Sequence, residues 1–156
     1  MKKISLTFCL ALLSSLFCPA QVSPLQFNKN GEFKIVQFTD VHFKYGNPAS
    51  DIALKRINEV LDAERPDLVV FTGDVVYAAP ADTAMRTVLA CASSRKLPFV
   101  VTFGNHDNEQ GKTRAELYDV IRSMPYNIQP DRGTVESPDY VLAVKSSDGK
   151  KDASVL

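Results

Sequence analysis

Thiols are scarce in this 156-residue chain: Cys9, Cys18 and Cys91 are all it has, and two of them fall in the first twenty residues. A disulfide framework and a structural thiolate zinc site are thereby excluded for the remainder. Cys91 stands alone in an apolar helical pattern and reads as a small buried filler. Neither sign of charge is in excess, with 18 basic against 18 acidic residues. No basic block occurs, so no specific nucleic-acid partner is indicated. There is no internal repeat and no low-complexity tract. Histidine is rarer still: His42 and His106 are the only two, and none follows His106. The uncharged run Ile4–Phe17 falls short of the roughly 20 residues that a membrane span needs. What remains is ordinary. A composition of 45% hydrophobic and 23% charged residues fills the core of about one soluble domain.

The start of the chain is not part of that domain. "MKKISLTFCLALLSSLFCPA" opens on Lys2 and Lys3, continues uncharged from Ile4 to Phe17, and reaches the small residue Ala20. This order predicts a secretory signal peptide over 1–20, cleaved after Ala20. The mature protein is then exported, to the periplasm or beyond, with no membrane span left in it. Lipid on Cys18 is the alternative, and bulky Phe17 just before it argues against that. Loss of Lys2 and Lys3 leaves 16 basic and 18 acidic residues, 16 − 18 = −2.

After a polar lead-in over 21–32, two periods alternate. "FKIVQFT", 33–39, reads as a strand. Ala53, Ile57, Val60 and Leu61 share one helical face, and Pro66 ends that helix. "DLVVFT", 67–72, is a second strand. Met85, Val88, Leu89 and Ala92 repeat the helical spacing, closed by Pro98. "FVVTF", 99–103, is a third strand. Thr113 and Glu116 then form a capping box. Leu117, Val120, Ile121 and Met124 make the next helical face, stopped by Pro125. Apolar strands joined by helices imply an α/β domain with a mainly parallel sheet. The tail differs: "YVLAV" and "ASVL" flank Asp148-Gly149, a hairpin signal.

Chemistry gathers where the strands end. The first exit carries Asp40 and His42, the second Gly73 and Asp74, the third Gly104, Asn105, His106 and Asp107. Ligands of open parallel sheets bind beyond the carboxyl ends of the strands. Singly, each residue reads as a turn, a cap or a polar loop. Jointly, three carboxylates, two imidazoles and an amide meet at one edge, where the acids repel unless cations neutralise them. Oxygen and nitrogen donors without thiolate suit Mn, Fe, Zn or Mg. Gly73 and Gly104 permit left-handed backbone beside such a site.

Asp40-x-His42, Gly73-Asp74 and Gly104-Asn105-His106-Asp107 together resemble the calcineurin-like metallophosphoesterases, over about residues 33–125. "FKIVQFTDVHF", "PDLVVFTGD" and "FVVTFGNHD" are most similar to the purple acid phosphatase-like branch. The resemblance implies hydrolysis of phosphate esters at a dinuclear metal centre. It implies Asp40 and His42 on the first metal, Asp74 bridging both, Asn105 on the second, and His106 as a non-ligand acid. Tyr77 lies where true purple acid phosphatases place an iron-binding tyrosine. Because His42 is present, the resemblance implies Tyr77 as a pocket wall instead. The role of Asp107 stays open. Lys44, Arg114 and Arg132 could contact phosphate but read as solvated surface charges.

The family takes further ligands from later histidines, which this chain does not have. The final apolar run also stops as it starts. The expectation is therefore a domain over 33–156 that is the N-terminal part of a metallophosphoesterase-type α/β sandwich, incomplete at its C-terminus. The full-length protein would be a phosphatase or phosphodiesterase, and the 156-residue chain inactive. The alternative is a non-enzymatic exported α/β module with a vestigial metal site.

Overall fold

The computed structural model describes residues 23–156. The expected signal peptide over 1–20 lies outside the described residues. Three parallel strands, β1 (Ile35–Phe38), β2 (Leu68–Thr72) and β3 (Phe99–Thr102), alternate with the helices α1 (Asp51–Glu64), α2 (Ala81–Ser93) and α3 (Arg114–Arg122). The sheet order is β1-β2-β3, an α/β arrangement as expected. Crossovers between parallel strands are right-handed. With the strands added in one direction, that handedness sends successive helices to the same face of the sheet. The packing agrees. Val36, Phe38, Val69, Phe71, Phe99 and Val101 share one core with Ile57, Leu61, Val88, Leu89, Leu117 and Ile121 of the helices.

Each helix follows its local chemistry. In α1 Ile57 and Leu61 are buried, and Leu54 packs beside them. Val60, expected on that face, is exposed; it sits one position before Leu61, about 100° around the helix. The helix ends at Arg65, which turns left-handed at φ 46° ahead of Pro66. Lys34 Nζ donates to the Glu64 carbonyl at 3.0 Å, satisfying one of the orphan acceptors of that end. In α2 the four expected residues are fully buried, and Ala81, Ala84 and Cys91 join them. Truncating Leu89 to alanine costs about 2–5 kcal/mol at such a site. Burial pushes the Cys91 thiol up, which fits inert filler. The Thr113–Glu116 capping box forms at α3. Its buried face includes Tyr118, whose hydroxyl escapes the core by donating to Pro130 O at 3.0 Å.

The other face of the sheet has a second, smaller core. Leu68 and Val100 meet Leu25 and Val144, with Phe27, Phe33, Tyr140 and Leu142 packed around them. The tail forms an antiparallel ribbon, β4 (Ala143–Lys145) and β5 (Asp152–Val155), turned at the expected place, with Gly149 at φ 73°. The lead-in is tied to it: Phe27 N–H donates to Lys145 O and Lys145 N–H to Leu25 O, at 3.0 and 2.8 Å. A cleft of about 560 Å³ lies on this face, lined by Ile35, Gln37, Val70, Val100, Tyr140 and Leu142 among others. None of the polar residues singled out at the strand exits lines it.

Candidate metal centre

Register brings the three exits to one edge. Phe38 is level with Phe71, and Thr72 with Thr102. Beyond the strands the first two exits remain paired. Asp40 N–H donates to Gly73 O at 3.1 Å, His42 N–H to Asp74 O at 2.9 Å, and Phe43 N–H to Val75 O at 3.0 Å. Three non-glycine residues hold left-handed backbone here: Asp40 at φ 52°, His42 at 47° and Asp74 at 52°. Such conformations cost about 1–3 kcal/mol each and persist only where the surroundings over-determine them, which is typical of functional sites.

The two glycines serve different ends. Gly73 takes φ 91°, as expected. Gly104 is not among the residues with positive φ, so its expected left-handed role is corrected. Its reason is steric. A Cβ on Gly104 would stand 2.1 Å from Asp74 Oδ1, and one on Gly73 would stand 2.7 Å from Gly104 N. The exits of β2 and β3 therefore touch backbone to backbone.

Asp107 is fully buried. Its Oδ1 accepts from Val75 N–H at 2.8 Å and Val76 N–H at 3.1 Å. Its Oδ2 accepts from Asp74 N–H at 3.0 Å and Gly104 N–H at 2.9 Å. The expected three-way repulsion of acids thus does not govern Asp107, because four amide dipoles meet its charge. In return, His106 N–H donates to Asp74 Oδ1 at 2.9 Å.

These contacts converge three side chains. One nitrogen each of His42 and His106 and one oxygen of Asp74 lie within 4.8 Å of one another. His42 Nε2 is 3.5 Å from Asp74 Oδ2, is itself buried and has no hydrogen-bond partner among the described residues. A buried polar atom left so costs about 1–3 kcal/mol. A cation between nitrogen and carboxylate would satisfy both, and an imidazole–carboxylate donor set suits Mn, Fe or Zn. The residues present fit a metal.

The remaining expected residues fall around this group. Asp40 is exposed, lies outside the 4.8 Å set, and accepts the Thr39 hydroxyl at 2.5 Å. Asn105 is exposed between Gly104 and His106. The Tyr77 ring stands edge-on to His42 and His106, at centroid distances of 5.1 and 4.9 Å. Lys44 Nζ lies 4.9 Å from the centre of that ring. Of the three cations considered, Lys44 is at the site. Arg114 donates instead to Gly104 O at 2.9 Å, and Arg132 pairs with Asp119 at 2.9 Å.

Sequence reasoning does not single out Glu109. It follows His106 by three positions across the 3-10 turn Asp107–Glu109, a spacing that eclipses side chains. Its Oε2 lies 2.6 Å from His106 Nδ1. That hydrogen bond, with smaller contributions from the charges of Glu109, Asp74 and Asp107, holds His106 above the usual imidazole range.

One carboxylate and two imidazoles converging at the strand exits make a candidate metal centre, and comparison gives the chain a family. The family profile described as calcineurin-like phosphoesterase matches residues 33–146; the chain belongs to that family. It is 35% identical over 134 residues to the probable inactive purple acid phosphatase 29 of Arabidopsis thaliana, covering 75% of this chain and 34% of that protein. It is 32% identical over 121 residues to the phosphatase DCR2 of Saccharomyces cerevisiae, covering 67% and 21%. It is 33% identical over 85 residues to the UDP-2,3-diacylglucosamine pyrophosphatase LpxG of Chlamydia trachomatis, covering 54% and 25%. The chain thus spans about a third or less of the length of these relatives.

Proposed function

We propose that this chain takes part in metal-dependent hydrolysis of phosphate esters at a dinuclear centre, as phosphatase or phosphodiesterase, in a protein of its relatives' length. The observation that carries the reading is the convergence of His42, Asp74 and His106 within 4.8 Å, with a buried His42 Nε2 that has no partner among the described residues. Relatives named phosphatase and pyrophosphatase support it. When bound, the metal ions (Mn, Fe, Zn or Mg) supply Lewis acidity toward phosphoryl oxygens and make water a nucleophile at neutral pH.

The residues divide the work. Asp40 and His42 would hold one ion, Asp74 would reach both, and Asn105 would hold the second through its side-chain oxygen. His106 would give its proton to the leaving oxygen. Glu109 engages Nδ1, so Nε2 is the atom left to carry that proton. The shared carboxylate explains a charge at the end of the apolar strand β2. Gly73 and Gly104 bring the exits together, and Tyr77 walls the pocket. On this reading residues 1–20 direct export to the periplasm or outside, and the secreted protein begins at Gln21.

The test is turnover of a chromogenic phosphate ester by the full-length protein with added Mn²⁺, together with its metal content. Turnover that Asp74→Asn abolishes supports the reading; turnover that Asp74→Asn leaves intact overturns it. A second reading has one observation in its favour. The Arabidopsis relatives numbered 29, 28 and 14 are each named probable inactive purple acid phosphatase. A full-length protein that binds Mn²⁺ and hydrolyses no ester would favour an exported module with a vestigial site.

A further inference from the structure

We infer that Asp107 is the positioning residue of this site: an internal anion that fills a backbone nest at the exit of β2 and locks it to the exit of β3. The inference concerns how the ligands are held. It rests on the metal-binding reading above only for its two Mn²⁺ readouts.

Successive N–H groups around a left-handed turn make a concavity that binds anions. Gly73 at φ 91° and Asp74 at φ 52° form such a turn. The N–H groups of Asp74, Val75 and Val76 all point to one carboxylate, at 2.8–3.1 Å. That carboxylate belongs to the protein and comes from the other exit. Asp107 Oδ2 takes a fourth bond from Gly104 N–H at 2.9 Å, just before Asn105. Three of the four donors, Asp74, Val75 and Gly104, thus lie in or beside a proposed ligand.

The lock is reciprocal. Asp107 of the β3 exit holds the backbone of Asp74, and the Asp74 carboxylate holds the backbone of His106 at 2.9 Å. One of the two Asp74 oxygens is fixed in this way. The other, Oδ2, faces His42 Nε2 at 3.5 Å. Asp107 therefore aims the shared carboxylate without touching the position where a cation would sit. A surface capping residue would serve its own turn. The Asp107 carboxylate starts the 3-10 turn Asp107–Glu109 yet spends three of its four bonds on another segment.

The test compares Asp107→Asn and Asp107→Ala with the unaltered 156-residue chain. Asparagine keeps the size but turns an NH₂ toward two N–H donors. Amide hydrogen exchange in the absence of metal should show Asp74, Val75, Val76 and Gly104 protected in the parent chain. In the variants these four should exchange roughly 100-fold faster while Val69, Val70 and Val100 keep their rates. Mn²⁺ affinity, measured by calorimetry, should fall about 10–100-fold, the usual loss when a partner of a ligand is removed. Formate should restore part of that affinity to Asp107→Ala by entering the emptied nest, a rescue that a general loss of stability would not produce.

Four unprotected amides in the parent chain overturn the inference. So does uniform acceleration of all amides, or unchanged Mn²⁺ affinity in both variants. If the alanine variant does not fold, the asparagine variant decides. A parent chain with the four amides protected but no affinity for Mn²⁺ counts against the phosphoesterase reading and leaves the lock standing.

Discussion

Replacing Gly104 by alanine adds one methyl group at the tightest point of the site. Gly104 needs no left-handed conformation, so the whole effect is steric. The new Cβ would lie 2.1 Å from Asp74 Oδ1, where ordinary contact begins at 3.4 Å. The carboxylate must therefore retreat by 3.4 − 2.1 = 1.3 Å, and because Asp74 N would stand only 2.5 Å from the same Cβ, the exits must part as well. Retreat breaks the bond from His106 N–H to Asp74 Oδ1, now 2.9 Å. Overpacking of this kind costs about 1–3 kcal/mol. A buried hydrogen bond left unmade adds about 1–3 kcal/mol. Gly104→Ala should thus lose about 2–6 kcal/mol of stability, because the backbone on both sides is pinned by Asp107. Gly111→Ala is the reference. Gly111 has φ 81° with open space around it, so its alanine pays only for the left-handed backbone, about 1–2 kcal/mol. Urea unfolding of both variants gives the difference, and Mn²⁺ titration reports on the site. Equal stability losses in the two, with Mn²⁺ affinity preserved in Gly104→Ala, would refute the steric argument.

Three further outcomes are expected. In the full-length protein, Asp74→Asn should cost far more turnover of a chromogenic ester than Tyr77→Phe, because Asp74 would serve both metals; comparable losses would sink the choice of His42 over Tyr77 as ligand. His106→Ala should leave metal content nearly intact and lower turnover by roughly 10²–10⁴, and metal lost along with activity would make His106 a ligand. In the metal-free chain, Glu109 raises the His106 pKa above 6.5. The pair therefore stabilises fully below that pH and stops doing so as pH rises through the folded-state value. Glu109→Gln should bring the ring titration, followed by NMR, back toward 6.5 and flatten that pH dependence of stability; an unmoved titration would show that the contact is idle.

The three-strand scaffold was legible because its signals are local. Each strand is a short apolar run and each helix carries its own periodic face, so residue order alone separates them. The convergence of His42, Asp74 and His106 was legible for a different reason. Each sits just past an apolar run, and parallel register does the rest. Apart from Glu109, three positions from His106, what escaped depends on contacts far apart in sequence. Asp107 and Val75 are 32 positions apart, and nothing local tells a carboxylate which amides it will meet. Gly104 shows the same limit. A glycine suggests left-handed backbone, whereas here it answers to an oxygen of Asp74 at the exit of another strand. Leu25 and Phe27 read as part of a polar lead-in because the core they join is built from Leu68, Val100 and Val144, all far along the chain. The left-handed Asp40, His42 and Asp74 were hidden too. Asp and His tolerate that region better than most residues, but only the paired exits demand it.

The one-way order of the sheet has a further consequence. Ligand crevices in open α/β sheets form where neighbouring crossovers leave toward opposite faces. From β1 to β3 no such reversal occurs, since all three helices lie on one side. The strand exits therefore make a ledge rather than a crevice, with Asp40 and Asn105 in the open and Tyr77 39% exposed. A ledge can grip a small, highly charged group from below but encloses little of whatever that group is attached to. On the proposed reading, these residues would recognise the phosphoryl centre common to many esters and be nearly blind to the alcohol it leaves behind. Discrimination among substrates would then be a property of the walls around the ledge, free to change between relatives while the floor stays the same.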